Sequence, residues 1–141
     1  MISSELQELI YKYKELGMMR LCKGATKEQI STFEKNHAVS LPNKYKEWLE
    51  YSDGGDLFLP AGIQLYGVAE KPTINVDDED RPNKNYIVIG TLSTGDPILC
   101  EKSGEQIEIY NHEAARIESD ETYPDFYAFL SDLVDILGIG G

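Results

Sequence analysis

The sequence predicts an α+β fold with three N-terminal helices, an antiparallel β meander of about four to six strands, and a C-terminal helix packed on the sheet. Two observations predict it. The spacing of apolar residues changes from helical to alternating after residue 55, and the strand-like segments that follow are joined by short turns. Because the first helices precede the strands rather than alternate with them, an antiparallel sheet is favoured. A chain of 141 residues is expected to form one domain over residues 1–141.

Two capping boxes mark the first two helices. Ser4 with Gln7 has the spacing of a capping box, and the apolar residues behind them repeat at helical intervals. Thr26 with Gln29 has the same spacing and predicts the start of a second helix. The connector between the two helices, residues 18–23, has no clear pattern.

The third helix lies in the stretch Leu41–Leu57, around which the rest of the chain is organised. Pro42 suits the first helical position, because its φ angle is already helical and its missing amide would have no partner there. Gly54 and Gly55 can adopt the left-handed conformation that ends a helix. Between them, three large apolar residues at positions i, i+3 and i+4 are expected to share one buried face. These residues are Tyr45, Trp48 and Leu49.

Four segments after the glycine pair have strand patterns: Gly62–Val68, Tyr86–Leu92, Pro97–Glu101 and Gln106–Tyr110. Tyr86–Leu92 is rich in β-branched residues and is expected at the centre of the sheet. Lys71–Asn85 is predicted to be a solvated loop. Asn111–Glu121 is predicted to be polar and irregular, and a further short strand at Ala114–Ile117 is an alternative. Pro124 then opens the last helix.

The charge of the chain is uneven. The formal net charge is −12, yet residues 1–50 hold eight basic and seven acidic residues, whereas residues 51–141 hold five basic and eighteen acidic ones. An acidic field of this kind repels nucleic acid and anionic membranes and speeds association with basic partners. The alternative is that the charge only keeps the protein soluble. No apolar run approaches the roughly 20 residues of a membrane helix, and no signal peptide is recognisable, so a cytoplasmic location is expected.

The motifs of catalytic and metal sites are incomplete in this chain. His112 begins a segment like the zinc-protease helix motif, but Arg116 stands where the second histidine would be. The acidic run Asp77–Asp80 lacks the alternating ligands and glycine of a calcium loop. Neither Cys22 nor Cys100 has a spacing that indicates redox pairing or metal binding. The expectation is therefore no catalytic site, no metal and no cofactor. His37, near the end of the second helix, is expected to be structural.

Several short features between residues 24 and 68 recur in one order. They are the Thr26 capping box, the Leu41-Pro42 helix with Tyr45, Trp48 and Leu49, the Asp53-Gly54-Gly55 stop and the Leu65-Tyr66-Gly67 strand. Together they resemble the SUKH superfamily, which includes relatives of fungal cell-wall-assembly regulators and many bacterial immunity proteins. The resemblance implies a binding domain that is not an enzyme, in which these residues are scaffold. Bacterial members block secreted toxins, frequently nucleases, by direct binding.

The resemblance and the charge together lead to one functional hypothesis and two alternatives. The hypothesis is an immunity protein, monomeric, that neutralises a cognate basic toxin, with a nuclease expected, through an acidic surface. The residues expected on that surface are Asp53, Asp56, Asp77, Asp78, Glu79, Asp80, Glu118, Asp120 and Glu121. The first alternative is an intracellular adaptor with a non-toxin partner. The second is an enzyme with an unrecognised site that combines His112 with acidic residues.

Overall fold

The described residues form a seven-stranded antiparallel sheet and four helices. A computed structural model describes residues 3–14, 18–59, 62–69, 73–76, 85–102, 104–111 and 113–137. The helices are α1 (Ser4–Lys14), α2 (Lys27–His37), α3 (Asn43–Tyr51) and α4 (Phe126–Leu137). The strands are β1 (Met18–Arg20), β2 (Gly55–Leu59), β3 (Ile63–Leu65), β4 (Tyr86–Thr91), β5 (Pro97–Glu101), β6 (Ile107–Asn111) and β7 (Arg116–Tyr123). The α+β prediction is confirmed in its class and antiparallel sheet, but the sheet has more strands than expected.

The strands lie in the sheet in the order in which they occur in the chain, β1 to β7, and every neighbouring pair is antiparallel. β4 is the middle strand, as its composition predicts. Two segments differ from the expectation. Residues 18–20 form edge strand β1 between α1 and α2, so the three N-terminal helices are not consecutive. Residues 116–123 form β7, so the short strand left open at Ala114–Ile117 is present in part and continues through the segment expected to be irregular, because the backbone of β6 provides partners for a polar sequence.

The four helices contribute to one core on a single face of the sheet. α1 contributes Leu6 and Ile10, α2 contributes Ile30 and Phe33, and aromatic residues of α3 and α4 contact one another. The sheet side of this core includes Ile87, Ile89 and Ile98, each with no solvent exposure. The residues that the opposite side of the sheet shows at β4–β6 belong to a separate small cluster, which includes no residue of the described helices, and we call this side the helix-free face.

The ends of the helices depend on contacts from distant parts of the chain. α1 is capped by Ser3 rather than Ser4, with the Leu6 amide 3.3 Å from the Ser3 hydroxyl. Pro42 is the N-cap of α3 rather than its first residue, and it has no side-chain acceptor to offer. The Glu105 carboxylate, from the β5–β6 hairpin, accepts from the Asn43 amide at 2.8 Å instead. The capping box of α2 is present as predicted.

The last helix is joined to α3 by an ion pair at their N-termini. Asp125 precedes α4 and its Oδ1 accepts from the Ala128 amide at 2.8 Å, while its Oδ2 lies 2.7 Å from Lys44 Nζ. Phe126, Phe129 and Leu130 are buried. Within the part of the chain that the structure describes, no helix has the length and apolar character needed to cross a bilayer.

Candidate interaction surface

The stretch Leu41–Leu57 is a packing centre. Tyr45, Trp48 and Leu49 are all buried, and Trp48 Nε1 donates to the Gly54 carbonyl at 3.1 Å. Gly54 and Gly55 have φ angles of 91° and 122°, which glycine adopts without strain. α3 ends at Tyr51 with Ser52 as its C-cap, so the helix stops before the two glycines, and Gly55 already begins β2. These residues hold the helix against the sheet, so they are scaffold and are not available to a partner.

Asp53 is the clearest correction among the predicted surface residues. It is 2% exposed, and its two carboxylate oxygens accept from the Val68 and Ala69 amides at 2.7 and 2.9 Å. Gly67 lies against this carboxylate, since a Cβ there would stand 2.6 Å from Asp53 Oδ1. Asp53 therefore fixes the turn after β3 and does not belong to an acidic surface.

Of the other predicted acidic residues, the structure describes the side chain of Asp56 alone. Asp56 is half-buried in β2, on the side of the strand opposite the buried Leu57. Glu118, Asp120 and Glu121 belong to β7, five strand positions away, which is about 24 Å at the usual strand spacing. The side chains of these three residues, and the whole of Asp77, Asp78, Glu79 and Asp80, lie outside the described part of the structure.

The helix-free face is partly apolar. Val88, Leu99 and Tyr110 lie on three adjacent strands and form a buried cluster, with Tyr66, Tyr86 and Ile117 packed around it. Val88 pairs with Leu99, and Leu99 pairs with Glu108, so one row of side chains crosses β4, β5 and β6. This row ends on a carboxylate rather than an apolar group.

Glu108 is the buried carboxylate of the helix-free face, with 6% of the residue exposed. Its Oε1 accepts from the Tyr86 hydroxyl at 3.3 Å and from Gln106 Nε2 at 3.4 Å. Burial raises the pKa of Glu108, the Tyr86 hydrogen bond opposes that rise, and the neighbouring Glu101 adds to it. Burial and the two carboxylates raise the pKa of Tyr86 to about 12. The result is a compact group of acidic and phenolic side chains on the sheet.

The alternation of residues in β6 is a sequence signal for this group. In β6, Ile107 and Ile109 face the core, so the alternation of a strand places Glu108 and Tyr110 on the opposite side. Tyr86 and Glu101 are direct partners across β4 and β5. No local pattern predicts the burial of Glu108, because this burial depends on three strands being adjacent in the sheet.

Two grooves border helix α2. One, of about 330 Å³, lies between α2 and α3 and includes Glu34, Lys46 and Glu50 in its lining. The other, of about 410 Å³, lies between α2 and the turn at Val68 and Ala69. Both are lined by a mixture of polar and apolar side chains, and the ion pair between Lys46 and Glu34 at 3.4 Å lies in the first.

The remaining candidates for chemistry are dispersed. Cys100 is fully buried in β5, as expected of a core residue, and burial raises its pKa. Cys22 is half-buried, and exposed His37 contacts the Phe33 ring at 4.4 Å between centroids. His112 lies outside the described residues. Among the residues that are described, no three His, Cys, Asp or Glu side chains lie close enough together to hold a metal ion.

Comparison with known proteins gives one clear result. None of the curated proteins compared with the chain matches it. The sequence model of the SMI1 / KNR4 family (SUKH-1) matches residues 24–132, which is well over half of the chain. The match begins before the capping box of α2 and ends within α4, so it includes the scaffold residues of α3 and strands β2 to β7. The chain therefore belongs to the SMI1 / KNR4 (SUKH-1) family.

Proposed function

We propose that this protein is a cytoplasmic immunity protein that binds and neutralises a cognate basic toxin, with a nuclease as the expected class. Family membership supports a binding domain of this type. The observation that carries the proposal is the charge distribution on the fold. Residues 1–50, which build α1, β1, α2 and nearly all of α3, are close to neutral, whereas β2–β7 and α4 belong to the part with eighteen acidic and five basic residues.

This charge distribution fits inhibition by occlusion. A nuclease carries a basic cleft for phosphates, and an acidic protein surface attracts such a cleft over a distance of about one Debye length. Electrostatic attraction raises the association rate, while apolar and aromatic groups at the contact slow dissociation. The proposal needs no catalytic group on this chain, because blocking the cleft is sufficient.

The test is co-expression of this protein with the toxin domain encoded by the adjacent gene. We expect cell survival and a 1:1 complex on gel filtration. Killing that is unimpaired, together with the absence of a complex at micromolar concentrations, would contradict the proposal. A pull-down that returns housekeeping proteins instead would favour the adaptor alternative.

A matched pair of triple variants tests whether the acidic part of the chain carries the attraction. The first variant changes Asp77, Asp78 and Asp80 to Asn, and the control changes the exposed helix residues Glu5, Glu8 and Glu28 to Gln. Both remove three negative charges. We expect the first to slow association about tenfold at low salt and the control to have a much smaller effect. If both variants slow association equally in stopped-flow mixing, the association rate depends on net charge and not on where the charges lie in the chain.

The second candidate is a regulatory adaptor of the cell-wall-regulator type. It is favoured by the identity of the matched family, whose description names SMI1 and KNR4. The same scaffold would then present its acidic part to a protein other than a toxin. Gene neighbourhood separates the two candidates, since only an immunity protein is expected beside a toxin gene.

A further inference from the structure

Helix α1 is attached to two other helices at its N-terminal end by a polar group of three residues. The Ser3 amide donates to Glu47 Oε1 of α3 at 2.5 Å, and the Ser3 hydroxyl lies 3.3 Å from the Tyr127 hydroxyl of α4. The Tyr127 hydroxyl also donates to the Glu47 carboxylate. We call Ser3, Glu47 and Tyr127 the clasp, because together they join the N-cap of α1 to α3 and α4.

The clasp is built around a charged acceptor that is partly shielded from solvent. Tyr127 is 3% exposed, and Glu47 is half-buried. Burial raises the pKa of the Glu47 carboxyl, but the hydrogen bonds from Ser3 and Tyr127 outweigh burial and hold the pKa below its ordinary value. The attachment of Ser3 therefore depends on charge-assisted hydrogen bonds, which are stronger than neutral ones.

The remainder of α1 is held by a small apolar contact. Leu6 and Ile10 are buried, and Leu9 is half-buried. The other side chains from Ser4 to Lys12 are exposed, and the helix packs against α4. A helix of 11 residues is marginal without tertiary contacts. We therefore expect α1 to lose its structure as one unit when it leaves α4.

We propose that α1 is a lid, which opens as a unit while the sheet stays folded, and that the clasp controls how often it opens. Opening breaks the contacts of Ser3 and withdraws Leu6 and Ile10 from the main core, so the apolar surface of α4 beneath them becomes accessible. It costs less than global unfolding, because the strand pairs from β2 to β7 and the packing of α3 on α4 stay intact. The lid is independent of the proposed function, since it involves only contacts within this chain.

The first experiment is native-state amide hydrogen exchange of the unaltered protein by NMR at pH 7, under conditions in which closing is faster than exchange. After correction for intrinsic rates, we expect the amides of residues 8–14, which are bonded within α1, to exchange about a hundredfold faster than those of β4. Their exchange should depend only weakly on added urea, because opening the lid exposes little surface. Equal corrected rates in α1 and β4, with the same urea dependence, would overturn the lid.

Two variants and a matched control test the clasp. Tyr127→Phe and Glu47→Gln each remove a charge-assisted hydrogen bond that exists only in the closed state, so each should raise the exchange rate of α1 about tenfold. The control is Tyr123→Phe, which removes a hydroxyl that donates to Asp132 of α4 at 3.1 Å. Because that bond survives when the lid opens, the control should leave the exchange rate of α1 unchanged. Clasp variants without effect on α1, or a control that accelerates α1 equally, would overturn the role of the clasp.

A second measurement follows the apolar side of the lid. In a Cys22→Ser background, Ile10→Cys places a thiol where the side chain is 6% exposed, so a thiol reagent should reach it only when the lid opens. Cys100 is fully buried in β5 and is the internal reference for global unfolding. We expect the thiol at position 10 to be labelled about a hundredfold faster than Cys100, and about tenfold faster again when Glu47→Gln is added. Equal labelling rates at the two thiols would overturn the lid.

Discussion

At the scale of single residues, the pair Asp53 and Gly67 explains why the family features around β2 and β3 occur together. The Asp53 carboxylate binds the amides of Val68 and Ala69, and this arrangement leaves no room for a side chain at position 67. The sequence shows an acidic residue beside two glycines, which is equally typical of a surface turn. Only the approach of Val68 and Ala69, which follow β3, to the Asp53 carboxylate distinguishes a buried aspartate from one in a surface turn.

Gly67→Ala should therefore destabilise the protein by about 1–3 kcal/mol, because the new Cβ overlaps the Asp53 carboxylate and carbonyl. The measurement is the urea midpoint at pH 7. Gly104→Ala is the matched control, since its nearest neighbours would be 3.6 Å from the new Cβ, and its midpoint should not fall. A Gly67→Ala protein as stable as the parent would show that the turn relaxes freely.

At the scale of elements, local patterns predict the helices and the central strand well, because α2, α3 and β4 each carry their signal within a few residues. The cap of α3 is different. Pro42 has no side chain that could accept a hydrogen bond from the first helical amides. The Glu105 carboxylate, 63 positions later in the chain, accepts from the Asn43 amide instead. β7 is predicted only at its start, by the short strand left open at Ala114–Ile117, for a similar reason: the acidic sequence that follows has no strand pattern, and pairing with β6 determines its conformation.

The Lys44–Asp125 pair gives an element-scale prediction of pH dependence. Partial burial favours the neutral acid, but the Lys44 ammonium and the Ala128 amide together hold the pKa of Asp125 below its ordinary value. A carboxyl whose pKa is lower in the folded state stabilises the fold above its unfolded pKa, near 4, and that stabilisation is lost as the pH falls through the folded pKa.

Asp125→Asn should therefore cost stability at pH 7 and progressively less as the pH falls from about 5 to about 2. Urea unfolding at several pH values provides the measurement. Lys44→Gln should reduce the same pH dependence, because it removes the cation that lowers the pKa of Asp125. A constant difference between Asp125→Asn and the parent across this pH range would contradict the assigned pairing.

At the scale of the whole molecule, α1 and β1 lie before the first residue of the family match yet belong to the fold. Leu6 and Ile10 are in the main core, and β1 pairs with β2 through Met18–Leu59 and Arg20–Asp56. Ser3 also contacts α3 and α4, with its amide 2.5 Å from Glu47 Oε1. The segment before residue 24 is therefore part of the domain.

A chain that begins at residue 24 should lose cooperative unfolding or aggregate, because it exposes the edge of β2 and the core surface beneath α1. Thermal unfolding followed by near-ultraviolet circular dichroism and light scattering would measure this. The control is the full chain with Tyr11→Ser, which alters a residue 77% exposed on the same helix and should change nothing. A truncated chain that unfolds like the parent would contradict an integral role for this segment.

The order of the strands also has a consequence for how the chain reaches its fold. In the described part of the chain, five of the six strand pairs join strands that follow each other with no helix between them, whereas β1 must find β2 across the whole of α2 and α3. Contacts between distant residues form late because closing a long loop costs chain entropy. We therefore expect the strands from β2 onward to assemble first, and β1 to close the sheet as the last step of folding.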